Sequence, residues 1–142
     1  SVQEEVGLRG AKTAAFAADP DAAIVLEATT AADIADVDET HRVCVLGNGP
    51  AVSFMDRATV YDREYYRAAL ESGIKCQPKS AVAGGNNSGA IHLSRGGVRT
   101  VAISVPCRYI HSSSCVADKE DIKNAERLAK YMLAGICGGT VK

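Results

Sequence analysis

Ala22-Ala23-Ile24-Val25-Leu26 is an unbroken apolar run, set between Asp19-Pro20-Asp21 and Glu27-Ala28-Thr29. Its short length and its β-branched Ile24 and Val25 predict a strand, ending over Glu27-Ala28-Thr29. Because every position is apolar, rather than every second one, the strand is expected to be covered on both faces, as in a parallel sheet. Residues 98–105 read the same way and form the second strong strand, closed by Pro106.

Helical patterns lie on either side of these strands. Residues 8–18 place Leu8, Ala11, Ala15 and Ala18 on one face, and Asp19-Pro20-Asp21 stops the helix. Residues 62–73 bury Tyr65, Tyr66, Ala69 and Leu70. The longest element runs over residues 118–136, with Asp118 as N-cap and Asp121 three residues on in the manner of a capping box. Its apolar stripe is Ile122, Ala125, Ala129, Met132, Leu133 and Ile136, and Gly138-Gly139 ends it.

Between these elements, residues 30–42 read as loop, 42–46 as a short strand and Gly47-Asn48-Gly49-Pro50 as a turn. Residues 74–82 are extended and broken at Pro78; 84–89 form a glycine-rich loop near the cleft, and 90–94 a helical turn. Ser1–Glu4 reads as the tail of a strand, with the expectation that residues upstream are missing. Strands alternating with helices define an α/β chain with a mostly parallel sheet.

Composition narrows the function classes. The 142 residues are enough for one domain, and the 46% that are apolar are ordinary for a globular one. With only 5% aromatics and no Trp, the core must rest on Ala, Val, Ile and Leu. Sixteen basic residues against seventeen acidic ones leave a net charge of −1, which argues against nucleic acid or an anionic membrane surface as partner. No apolar run approaches the ~18 residues of a membrane span, and no basic-then-apolar leader opens the sequence. The five cysteines form no CxxC pair, and their odd number argues against a secreted disulfide framework. They read as reduced thiols, which implies a cytoplasmic setting.

In open α/β sheets, sites form outside the carboxyl ends of the strands. Three inferred strand ends here carry Glu4-Glu5, Glu27, and the segment Pro106-Cys107-Arg108-Tyr109-Ile110-His111. Carboxylates and an imidazole brought together suit zinc, cobalt or manganese. Of two adjacent carboxylates where the chain turns, one can bind metal while the other stays free. A free carboxylate within reach of a metal-bound water can accept its proton. The residues alone leave a solvated acidic pair at 4–5, a solvated strand terminus at Glu27 and a loop histidine at 111 as open alternatives. Cys107, His111 and Cys115 lack a fourth ligand for a structural zinc site. His41 reads as surface, His92 as a helix-turn residue, and Tyr61, Tyr65 and Tyr66 as core.

Val2-Gln3-Glu4-Glu5-Val6-Gly7-Leu8-Arg9-Gly10-Ala11 resembles the signature of the glutamyl and tetrahedral (TET) aminopeptidases, dinuclear metallopeptidases also labelled endoglucanases. Pro106-Cys107-Arg108-Tyr109-Ile110-His111-Ser112 resembles a second segment of that family. Gly47-x-Gly49-Pro50 with Asp56 resembles a third, less specific block. The resemblance covers nearly the whole chain. It implies a three-layer α/β/α zinc-peptidase-like fold, with residues 1–142 as an incomplete C-terminal part of the catalytic domain. Upstream metal ligands and an inserted dimerisation domain would lie outside the chain.

The resemblance further implies Glu4 as general base and Glu5, Glu27 and His111 as ligands to two divalent ions, zinc or cobalt. Peptides would be the substrate and a homo-oligomer the assembly, and this stretch by itself would be inactive. Two positions depart from the family pattern: Glu27 stands where Asp is usual, and Asn87 stands for an Asp in the glycine loop. A glycoside hydrolase using Glu4 and Glu27, or a non-catalytic assembly module, are the rival expectations.

Overall fold

The computed structural model describes residues 1–141. Within them, four helices and five strands form a sheet packed between helices: α1 (Arg9–Ala18), β1 (Ala22–Thr30), β2 (Ala51–Val52), α2 (Arg63–Leu70), β3 (Gln77–Pro78), α3 (Ser88–Ile91), β4 (Arg99–Arg108), β5 (Val116–Ala117) and α4 (Lys119–Cys137). The sheet order is β1-β4-β2-β3, with β5 added to the end of β4. Parallel pairing dominates, because β1 and β4 run together from Ala22↔Arg99 to Thr30↔Cys107. The antiparallel pairings of β4 with β2 and with β5 cover two residues each.

Alternation along β4 builds the three layers. Val101 and Ile103 point into the main core with Val52, Tyr65 and Ala69, and with Ala125, Leu128 and Met132 of α4. Ala102 points the other way, to Val25 and Tyr61, with Ile91 of α3 packed against them. Each fully buried Ile, Leu or Met contributes about 1.5–3 kcal/mol relative to exposure. Two of the helices, α2 and α4, start where the chain supplies a side-chain cap. Asp62 accepts from Glu64 N and Tyr65 N at 3.0 Å, and Asp118 accepts from Glu120 N at 2.7 Å.

Several expectations need correction. Residues 1–4 are not the tail of a strand: Gln3 has φ 56°, which a strand excludes, and Glu4–Val6 is a 3-10 turn. Gly10 lets this arm fold back on α1, donating its N–H to Val2 O at 2.9 Å; a Cβ there would sit 2.6 Å from the same oxygen. Residues 42–46 form no strand. Ala31 O accepts from both Val43 N and Cys44 N, which bends the chain, and the Gln77 side chain satisfies both polar groups of Val45 at 2.9 Å. The strand of this region is β2, just beyond the turn.

Pro106 does not close β4, which continues to Arg108. Cys107 O accepts from Ala31 N, so the ring nitrogen of Pro106 faces the opposite edge, past the end of β2 and before β5 begins, where no N–H is required. The carboxyl-terminal residues of β1 find partners along this extension, so β1 runs through Glu27-Ala28-Thr29 to Thr30. Nor is β1 covered on both faces. Among the described residues it is the edge strand, and Leu26 is exposed. Along α4, Ile122 and Leu133 are exposed too, while Leu128 and Gly135 are buried in their place.

Asp121 is no capping-box residue. It is fully buried and accepts from Gly47 N and Gly49 N, each at 2.7 Å. Gly49 has φ 86°, and a Cβ on it would collide with Lys75 O, so a glycine is required for the turn to seat on the carboxylate.

Candidate metal centre

Glu4, Glu5, Glu27 and His111 line one cleft of about 390 Å³, together with Ser1, Leu26, Ala28, Gly85, Asn87 and Ile110. They arrive from three separated stretches of chain. Glu4 and Glu5 come from the 3-10 turn, whose three residues per turn set neighbours roughly 120° apart rather than on opposite faces. Glu27 lies within β1, directly across from Ser104. His111 follows β4 by three residues, on a loop where both Tyr109 (φ 62°) and His111 (φ 63°) take left-handed backbone.

That loop is tied down. Arg108 makes a two-pronged pair with Asp33, Nε to Oδ1 at 2.7 Å and a second nitrogen to Oδ2 at 3.0 Å. The guanidinium holds the Asp33 carboxyl below its ordinary value, helped by the Leu46 N–H. Ser112 Oγ lies 2.6 Å from Tyr109 O and 2.7 Å from Ser114 O, bridging the loop's two limbs. The glycine segment supplies the opposite wall through Gly85 and Asn87, so it is a turn beside the cleft.

Glu5 and His111 are both largely exposed, and their Oε1 and Nδ1 atoms are 3.7 Å apart. Two ligands of one ion at ~2.1 Å each lie at most ~4.2 Å apart, a limit this separation meets. The donor set therefore fits a divalent ion of intermediate softness. Among the described residues, no three His, Cys, Asp or Glu side chains converge closely enough to hold an ion unaided.

Glu27 has a different environment. It accepts from Ser104 Oγ at 3.0 Å and Asn86 Nδ2 at 2.9 Å. Burial raises its pKa above the ordinary value, outweighing the lowering by these two donors and by Lys79. A carboxylate that is costly to ionise in an apolar strand is stabilised by a cation, which is the physical case for a ligand role.

Sequence reasoning missed the support behind Glu27. Asn86, Ser104, Tyr61 and Asp56 are all buried and hydrogen-bonded in series. The sequence predicts Tyr61 as plain core, yet its hydroxyl bonds Asp56 at 2.5 Å. Only Asp56 is marked in the sequence, by the third block of the resemblance and by its Asx pattern, its Oδ1 accepting from Ala58 N and Thr59 N at 2.8 Å. Size would not have found the cleft either. A larger concavity of about 730 Å³ runs between the free edge of β1 and α4, lined by Ile24, Leu26, Ala129, Leu133 and Ile136, with no cluster of metal-binding side chains.

Solved structures with this arrangement of elements include aminopeptidases. The chain is 34% identical to an aminopeptidase from Desulfurococcus kamchatkensis, with a TM-score of 0.88 over 92% of this chain and 39% of that one. A TET aminopeptidase from a marine-sediment thaumarchaeon gives the same identity and TM-score over 93% and 38%. The chain belongs to the M42 glutamyl aminopeptidase family, whose model matches residues 1–128. Among curated relatives, a putative aminopeptidase of Acetivibrio thermocellus is 41% identical over 96% of this chain, and a lysyl aminopeptidase of Pyrococcus furiosus is 35% identical over 94%. The chain spans 41% and 38% of those two proteins. No helix among the described residues is long and apolar enough to cross a membrane.

Proposed function

We propose that the full-length protein is a metal-dependent aminopeptidase and that residues 1–142 are the C-terminal part of its catalytic domain. The observation that carries the reading is the meeting of Glu4, Glu5, Glu27 and His111 in one cleft, in a chain of the M42 family. Glu5, Glu27 and His111 are the ligands that this stretch contributes to two divalent ions, zinc or cobalt. Glu4 shares the cleft and serves as general base, taking a proton from the attacking water and returning it to the leaving amine. Bound ions would supply charge stabilisation for the substrate carbonyl and amine. Three ligands are too few for two ions, so the activity is assigned to the full-length protein rather than to these residues alone.

The substrate is the N-terminus of a peptide, and the setting is cytoplasmic, in keeping with five free thiols. A homo-oligomer is inferred by likeness to structural relatives. A structural relative, the Pyrococcus horikoshii TET1 peptidase, assembles into a tetrahedron or a large octahedral shell.

Another neighbour, from Thermotoga maritima, is named an endoglucanase (TM-score 0.64, 29% identical). Glycoside hydrolysis needs two carboxylates at a set separation and has no use for His111. The experiment is hydrolysis of amino-acid anilides by full-length protein, stripped of metal and then resupplied. Activity should return only with zinc or cobalt. It should be lost in Glu4→Gln with metal content unchanged, and in His111→Ala it should recover at higher metal concentration. Cellulose hydrolysis that is indifferent to metal and to His111→Ala would overturn the proposal.

A further inference from the structure

Glu27 is held by one oxygen only. Ser104 Oγ and Asn86 Nδ2 both donate to Oε1, at 3.0 and 2.9 Å, and no hydrogen bond among the described residues reaches Oε2. The Asn86 amide is itself fixed. Its Oδ1 accepts the Ser88 N–H at 2.7 Å, which identifies the carbonyl end and turns the NH₂ group towards Glu27. That NH₂ group also donates to Tyr61 Oη at 2.8 Å and lies 3.4 Å from Asp56 Oδ2. Tyr61 Oη donates onward to Asp56 Oδ2 at 2.5 Å, and Asp56 Oδ1 is anchored by two backbone N–H groups of its own turn. Asn86, Tyr61 and Asp56 are all but fully buried, so the chain of bonds has little room to rearrange.

We propose that Asn86 is a positioning residue, pinning Glu27 through Oε1 so that the side chain offers Oε2 alone to a metal ion. The inference rests on the reading of Glu27 as a ligand and adds how it is set. A glutamate has three side-chain torsions to order before it can bind an ion in one geometry. Two donors on the same oxygen restrict the terminal torsion and disfavour two-oxygen binding. Partners of this kind behind a ligand usually change metal affinity by about 10–100-fold.

The test uses full-length protein stripped of metal, with zinc and cobalt affinity and stoichiometry measured by competition against a chromophoric chelator. Asn86→Ala should weaken one of the bound ions by about 10–100-fold. Glu27→Gln should weaken the same ion, and the double variant should bind no more weakly than Glu27→Gln alone. Should Asn86→Ala fail to fold, Tyr61→Phe keeps the ring and removes the brace, and it should show a smaller loss at the same ion. Unchanged affinity in Asn86→Ala, or in Tyr61→Phe if that is the variant that folds, alongside loss in Glu27→Gln overturns the positioning role and leaves the ligand reading intact. Losses at Asn86 and Glu27 that simply add would overturn the positioning role in the same way. Unchanged affinity in Glu27→Gln removes the ligand reading itself.

Discussion

Leu26 and Ile103 sit opposite each other in the β1–β4 register, yet Leu26 is 57% exposed and Ile103 is 0% exposed. The two strands look alike as text. What separates them is neighbours. β4 has β1 on one edge and β2 and β5 on the other, with helices over both faces, whereas β1 is paired along one edge only and α4 leaves its apolar side partly open. Burial is therefore a property of position in the sheet, and an apolar run reports only that covering is wanted.

One position further along, the same pair of strands places Glu27 against Ser104. There the exposed strand carries the cleft residue and the buried strand carries its support. The division suits the proposed ligand role of Glu27, because an ion would enter from solvent, while donors that orient a ligand work best where water cannot compete.

Four experiments would break or sharpen this contrast. The largest effect is expected for Ile103→Ala, which should lower stability by about 2–5 kcal/mol through cavity formation in the main core. Urea unfolding measures it, and a loss similar to that of Leu26→Ala would contradict the difference in covering. Asp121→Ala leaves the Gly47 and Gly49 amides without their buried charged acceptor and should cost about 2–4 kcal/mol. Hydrogen exchange at those two amides should rise well beyond the global change.

Glu27→Gln in metal-free protein should raise the melting temperature at pH 7. Burial raises the folded-state pKa of Glu27, so its ionised form is penalised by folding. That penalty is fully present above the raised pKa, shrinks as pH falls through it, and is absent once both states are protonated, below the ordinary value of 4.5. The gain from the substitution should follow the same course in a pH series of melts. The smallest effect on stability belongs to Leu26→Lys, within about 0.5 kcal/mol. Light scattering should show reduced self-association, because a charge then interrupts the open apolar strip.

Much of the fold was legible because it depends on local signals. Asp118 announced α4 as its N-cap, Gly47 to Pro50 announced a turn, and the β-branched runs at 22–26 and 98–105 announced the two long strands. Pro106 misled because a proline breaks a strand only where its missing N–H has a partner waiting. Ser1–Glu4 is no strand because the arm folds back onto α1, an approach that Gly10 permits and no local pattern in residues 1–4 encodes.

The candidate cleft was half legible. Glu4, Glu5, Glu27 and His111 are ionisable groups in distinctive contexts, and a resemblance in motif could point to them. Asn86, Ser104 and Tyr61 are ordinary residue types in ordinary surroundings, and only their distances to Glu27 single them out.

The order of elements, the caps and turns, and the residues able to bind a cation were determined by the sequence alone, since each is written within a few adjacent positions. Which strand became the edge, which oxygen of Glu27 was left free, and that Asp121 serves a turn some seventy residues away were decided by tertiary structure. These depend on contacts between remote segments, whose register and burial no local pattern encodes.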